Sequence, residues 1–451
     1  MNSPMQAHTF AGALSKKSLS SPSIDSDDDS LPIVKAAYAG LPTPLEMSQL
    51  VADGQAAEDR GYFNPNEDER LRDAYARYLA IRVSLWGLIQ KSRPAAHRVQ
   101  ADPLTANAKD MSDFAIAFSA AEIIVRTGEY LIDLARNRDI IWRKLDEAES
   151  RYGIRRKSFT RLYRQLTSAY HMYGFYRARD VFDANKSRIM AAAPDDIAKI
   201  LTTLNLPSAS RGDHLRRYRR FVRHSLKRRQ LSAWKKILFS LFEMTGSDIA
   251  DLTIPFVKPP QSKKRVSPEV IEKIRAKLQP GDVFVTRHDD ALSNLFLPGS
   301  WPHSALWLGA ADADILEAKK DGVLLRQIEE TLQVDAFVVI RPKLSANDLA
   351  EALTRARTHT GKLYDFVFDF STSDRLVCTE VIYRTYHGQG EIDFQLGLKA
   401  GRHCLSAEDL LNQAIGKGWF DVVAIYGVGG NEMLEGGAAR EKLRDSFASR
   451  F

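Results

Sequence analysis

In DRLVCTEVIYRTY, residues 374–386, a cysteine follows a short apolar run and opens a segment of helical character. It is one of only two cysteines in 451 residues. A thiol at a helix start is chemically useful. The free backbone N–H groups and the positive end of the helix dipole favour the thiolate, and a nearby imidazolium lowers its pKa further. A hydrolase built on Cys378 then needs a histidine within hydrogen-bond reach and a polar residue to orient it. His303, in PGSWPHSALWLGA, opens an apolar strand where a histidine needs a reason to be present. The next segment, ADADILEAKKDG, reads as a turn and a second strand. If the two strands pair, Glu317 comes to the face of His303 and close to it. Cys378, His303 and Glu317 would then make a Cys-His-Glu triad. Each also has a plainer reading: a core thiol, a half-exposed strand histidine, a solvated glutamate. A rival pair, His403-Cys404 in GRHCLSAEDL, is no nucleophile–base couple by itself, because neighbours on an extended chain point to opposite faces.

The elements that must position these residues change in texture along the chain. Residues 1–45 are rich in Ser, Pro and Asp and are expected to be a disordered tail. Residues 46–253 carry apolar residues at three- and four-residue spacing, as in NEDERLRDAYARYLAIRVSLWGLIQ, and predict an all-α helical bundle. Residues 254–266 read as a Pro-rich, basic linker. Ser267-Pro268 then makes a helix start, with a capping residue followed by proline at the first helical position. GDVFVTR, HSALWLGA, DILEA, GVLLRQ and DAFVVIRP are short, β-rich and punctuated by Gly and Asp, so 267–430 is expected to be an α+β domain. Residues 431–451 read as a C-terminal tail.

Two cysteines exclude a disulfide scaffold and a Cys-rich zinc site, which suits a reducing compartment. No secretory signal and no spanning segment is read, so the default location is cytoplasmic, with export as an effector the alternative. The net charge of +7 is concentrated in residues 211–236, where eleven Lys or Arg face one Asp (+10), leaving the remainder at −3. That segment reads either as an amphipathic bundle helix or as a surface for anionic membranes. No specific nucleic-acid partner is expected, since no recognition motif accompanies the charge. RHDDALSN and GDHLRR do not space three or four metal ligands usefully, and no phosphate-binding glycine loop occurs. Neither a metal nor a cofactor is expected.

The order PGDVFVTR, WPHSALWLG, ILEA, VVIRP, GKLYDF and LVCTEVIYRTY resembles the circularly permuted papain-like cysteine hydrolases, the YiiX/YaeF-like branch of the NlpC superfamily. The matching positions are Gly281-Asp282, His303, Glu317, Gly361 with Tyr364-Asp365, and Cys378-Thr379-Glu380, with Thr379 where serine is common. The resemblance implies a permuted papain-like domain with an antiparallel sheet, in which Cys378 is the nucleophile, His303 the base and then the acid, and Glu317 the orienting residue. It places Tyr364 at the substrate; Glu380 is either structural or pocket-lining, and Trp301 and Ser304, which flank His303 in sequence, are expected near the substrate as well. The implied activity is amide cleavage through an acyl-enzyme, on a murein-type peptide or an N-acyl compound. The alternatives are a bacterial acyltransferase-like or phospholipase activity on acyl lipids, and a non-catalytic helical scaffold with a degenerate hydrolase domain.

Overall fold

Two proline-led capping boxes start two of the N-terminal helices. In TPLE, the Thr43 N–H donates to Glu46 and the Glu46 N–H to Thr43 Oγ1; in NPNE, Asn64 and Glu67 make the same reciprocal pair. The computed structural model describes residues 30–136, 138–204, 265–287, 301–309, 315–366, 368–399 and 401–448. Ten α-helices precede residue 205 among the described residues: α1 (Ser30–Ala39), α2 (Pro44–Arg60), α3 (Pro65–Lys91), α4 (Arg93–Ala101), α5 (Ala108–Leu134), α6 (Asp139–Leu145), α7 (Ser158–Thr167), α8 (Ala169–Ala184), α9 (Lys186–Ala192) and α10 (Asp195–Leu204).

The chain divides into two compact units. Met1–Ala52, Arg70–Asp146 and Lys157–Arg229 form the first; Asp53–Glu69, Glu147–Arg156 and Gln230–Phe451 form the second. In the first, α5 is the hub. Its Phe114 and Phe118 pack with Leu85 and Leu88 of α3, Phe182 of α8 and Ile197 of α10. Val34 and Ala37 of α1 join this core, so residues 30–39, inside the expected disordered tail, are helical because they bury an apolar face. Glu122, which interrupts the most apolar run of the sequence, is buried against Arg126 at 3.1 Å.

The second unit holds a seven-stranded, wholly antiparallel sheet of order β11-β10-β5-β1-β2-β3-β4. Its strands are β1 (Val283–Arg287), β2 (His303–Trp307), β3 (Ile315–Lys319), β4 (Gly322–Arg326), β5 (Ala336–Pro342), β10 (Phe420–Tyr426) and β11 (Leu434–Glu435). Two small pairs lie apart from it: β6 (Leu363–Tyr364) with β7 (Arg375–Leu376), and β8 (Gly397–Lys399) with β9 (Arg402–Cys404). The helices are α11 (Pro268–Arg275), α12 (Ile328–Thr331), α13 (Ala346–Arg357), α14 (Cys378–Tyr386), α15 (Ala407–Gly416) and α16 (Gly436–Ala448). Strand alternation separates two cores. Val283, Val285, Leu306, Leu316, Val338 and Ile340 cluster with α13, α14, α15 and α16, while Phe284, Ala305, Trp307, Ile315, Phe337 and Val339 cluster with α11 and α12.

The Gly281-Asp282 motif pins β1 to β5. Gly281 has φ +95° and a Cβ there would meet Leu349 at 2.6 Å, so only glycine fits; Asp282 is fully buried and takes both arms of Arg341 at 2.7 Å. Three expected boundaries differ from the structure. Asp53–Glu69 and Glu147–Arg156, placed by sequence in the helical bundle, belong to the second unit. The expected C-terminal tail contains β11 and α16, because Ala439 and Leu443, four residues apart, bury one helix face in the core. The expected linker and the basic stretch 211–236 lie outside the described residues, apart from Arg265 and Val266.

Candidate active site

Helix α14 begins at Cys378, and the residue before it, Val377, has no side chain able to cap the helix. The amides of the first turn therefore carry no side-chain cap. The Thr379 N–H donates to the Cys378 sulfur, and so does the Ser304 N–H of β2. The thiol is buried, at 4 % exposure. Burial pushes its pKa up, but the His303 charge and hydrogen bond outweigh burial and hold it below the ordinary thiol value.

His303 and Glu317 meet because their strands pair as the alternation requires. Trp307 faces Ile315, and by the two-residue period His303 and Glu317 both lie on that face. His303 Nε2 is 2.7 Å from Glu317 Oε1, which leaves Nδ1 for Cys378. Burial pulls the imidazole pKa down; Cys378 and Glu317 outweigh it and lift it to about 10. Glu317 is 1 % exposed. Burial would raise its carboxyl, yet the His303 hydrogen bond and charge, with Lys319, bring it down to about 2. The arrangement favours passing the thiol proton to the imidazole, with a carboxylate behind the ring, a set of groups able to attack an electrophilic carbon and to hand a proton to a leaving group. The His303 side chain, 22 % exposed, is the most open of the three.

Three partners of Glu317 escaped the sequence reading. Its Oε2 lies 2.8 Å from Lys319 Nζ and 3.2 Å from Arg326 Nε, and Thr331 Oγ1 donates to it at 3.2 Å. Lys319 was accessible from alternation, two residues along the same strand face; Arg326 and Thr331 depend on the next strand and on α12.

The residues expected at the substrate lie as follows. Tyr364 is within electrostatic reach of the thiol: its phenol pKa is pushed up by burial and by the charges of Cys378 and Asp365, and Phe366 packs edge-on against its ring. Gly361, φ +83°, makes the turn that leads into it. Trp301 is fully buried in the core, with Nε1 donating to Ser446 Oγ at 3.3 Å. Ser304 turns its backbone N–H to the thiol, while its side chain is fully buried. Glu380 is fully buried and accepts from Arg384 Nε at 2.8 Å, the arrangement that its structural reading describes. Cys404, the rival thiol, is half-buried on β9, and His403 packs at a tilt against Tyr62, ring centroids 4.7 Å apart.

A family model described as permuted papain-like amidase enzyme, YaeF/YiiX, C92 family, matches residues 277–435. The C-terminal domain is therefore of the permuted papain-like type, and a hydrolase of the amidase/peptidase class is supported for it in general. No curated protein and no solved structure matches the chain. Among the described residues, no helix is long and apolar enough to cross a membrane, and no group of three or more His, Cys, Asp or Glu side chains could hold a metal ion.

Proposed function

We propose that the C-terminal domain is a cysteine amidase working through Cys378, His303 and Glu317. The observation that carries this reading is the 2.7 Å contact of His303 Nε2 with a carboxylate 1 % exposed, on a ring that also hydrogen-bonds Cys378. The thiolate of Cys378 attacks the carbonyl carbon of an amide, and the carbonyl electrons move onto oxygen. Backbone N–H groups at the start of α14 face the developing oxyanion. His303 delivers its proton to the amine as the C–N bond breaks, leaving a thioester. Water, deprotonated by His303, attacks that thioester, and release of the acid restores the thiolate. Glu317 keeps the imidazole oriented and favours its charged form throughout. Tyr364 lines the site beside the sulfur. An N-acyl compound or a peptide amide is the substrate class that this chemistry serves.

The test is labelling of the Cys378 peptide by iodoacetamide against pH, read by mass spectrometry. Wild type is expected to label rapidly near pH 6, well below the ordinary thiol pKa of about 8.5. His303→Ala should slow that labelling by about 10²-fold or more, the scale of a general acid–base contribution. Labelling that follows an ordinary thiol in both proteins would remove Cys378 from catalysis.

A further inference from the structure

All nine residues of α14 are buried. Two of them are ionised, Glu380 and Arg384, one helical turn apart and joined at 2.8 Å. A guanidinium with 2 % exposure must satisfy its donors inside the protein. Arg384 does so with three different segments. Nε reaches Glu380 on its own helix, Nη1 reaches Asp68 Oδ2 at 2.9 Å, and Nη2 reaches the carbonyls of Thr372 at 2.8 Å and Phe370 at 3.3 Å. Asp68 comes from the first turn of α3, and its Oδ2 also accepts from Ser373 Oγ at 2.6 Å. Ser373 is held a second time, by Glu147 Oε2, which takes its N–H at 3.1 Å and its hydroxyl at 3.2 Å. Asp68, Glu147, Ser373 and Arg384 all fall in the second compact unit.

These bonds bracket the thiol. Ser373 lies five residues before Cys378 and Arg384 six residues after it, so the loop entering α14 and the helix itself are both fixed to Asp68. His303 sits on a strand of the sheet, and the Cys378–His303 hydrogen bond exists only while α14 keeps its seat on that sheet. Neither Asp68 nor Glu147 lies in the stretch 277–435 matched by the family model.

We propose that Asp68 is a positioning residue for the candidate nucleophile: through Arg384 and Ser373 it sets the seat of α14 and hence the alignment of Cys378 with His303. The proposal rests on Cys378 being the reactive thiol. It assigns part of the catalytic unit to a segment that precedes the hydrolase-type region by about two hundred residues.

The experiment uses the full chain and the Asp68→Asn variant, which keeps the side-chain shape and removes the charge. The pH–rate profile of iodoacetamide labelling is followed at Cys378, with Cys404 in the same molecule as the internal reference and circular dichroism as the check on folding. The expected result is a Cys378 profile displaced upward by about one pH unit, a tenfold loss of labelling rate near pH 6, with Cys404 labelling unchanged. A merely structural role would lower the melting temperature and leave the Cys378 profile on that of wild type, and this would overturn the proposal. Should Asp68→Asn not fold, Ser373→Ala removes one hydroxyl from the same cluster. It should displace the Cys378 profile in the same direction by a smaller amount, and an unmoved profile there is equally fatal. A wild-type profile already resembling an ordinary thiol would overturn the nucleophile reading and this proposal together. A low-pH wild-type profile that both variants preserve overturns this proposal alone.

Discussion

Helix α14 carries two ionised systems that differ in what they leave adjustable. At its first residue, Cys378 is paired with His303, whose side chain is 22 % exposed and whose charge can be gained and lost. Six residues on, Arg384 is 2 % exposed, and its guanidinium stays protonated at any pH a folded protein meets. The first system is made of groups that exchange protons, as acid–base chemistry requires. The second is centred on a guanidinium that holds its charge while the first changes. A nucleophile–base pair is useful only if its two partners stay aligned through those changes, and the Arg384 cluster supplies a seat for the helix away from them.

The sharpest way to break this comparison is to remove the fixed cation. Arg384→Ala leaves Glu380 and Asp68 buried with one fewer positive partner, and removing one member of a buried ion pair costs about 3–5 kcal/mol. Urea unfolding of the second unit should show that loss. A decrease below about 1 kcal/mol, the range of exposed pairs, would mean that the cluster is solvated and that the contrast between the two systems is false.

The parts of this arrangement differed in how far the sequence disclosed them. Short-range signals translated well: Ser267-Pro268 does begin a helix, and GDVFVTR, DILEA and DAFVVIRP supply β1, β3 and β5. The meeting of His303 with Glu317 followed from two-residue alternation across one strand pair, which is local information. The Arg384 cluster was not legible, because Asp68 stands 305 residues from Ser373 and 316 from Arg384, Glu147 stands 226 from Ser373, and no periodicity links them. A Glu and an Arg at i and i+4 also read as a solvated helix face, so the burial of Glu380 on every side is not visible in the sequence. The surroundings of Trp301 were hidden for a related reason: its partner Ser446 lies in a segment whose composition resembles a tail, although Ala439 and Leu443 give it a buried face.

A smaller effect should come from His359, which shares the electrostatic neighbourhood of Arg384. It is 5 % exposed, and neither ring nitrogen has a hydrogen-bond partner among the described residues. Burial above all, then the charges of Lys362, Arg384 and Arg151, hold its pKa well below the ordinary value of 6.5, with Asp68 opposing them. The folded state therefore keeps His359 neutral while the unfolded chain takes up a proton as pH falls through 6.5. Its contribution to stability is full above that pH and declines below it, by at most about 1.4 kcal/mol per pH unit. Glu317 also loses stability in acid, but its window lies lower, from the ordinary 4.5 toward about 2. Urea unfolding of wild type and His359→Phe between pH 5 and 7 separates the two, since the variant should show a shallower slope there, the remainder coming from His387, which burial also holds low. Equal slopes in both proteins would mean that His359 is hydrated and titrates normally.

The smallest expected effect tests whether every anchor of α14 matters to the thiol. At the far end of the helix, Tyr386 is fully buried and its hydroxyl donates to the Gly281 carbonyl at 2.6 Å, eight residues from Cys378. Tyr386→Phe keeps the ring against Phe420 and removes one neutral hydrogen bond, a loss of about 1 kcal/mol. Its Cys378 labelling profile should coincide with that of wild type, because the ionic seat formed by Arg384, Asp68 and Ser373 remains intact. If instead the profile moved as far as in Asp68→Asn, alignment of the thiol would be a property of helix packing as a whole. The distinction drawn between a fixed ion cluster and the surrounding apolar contacts would then have no chemical meaning.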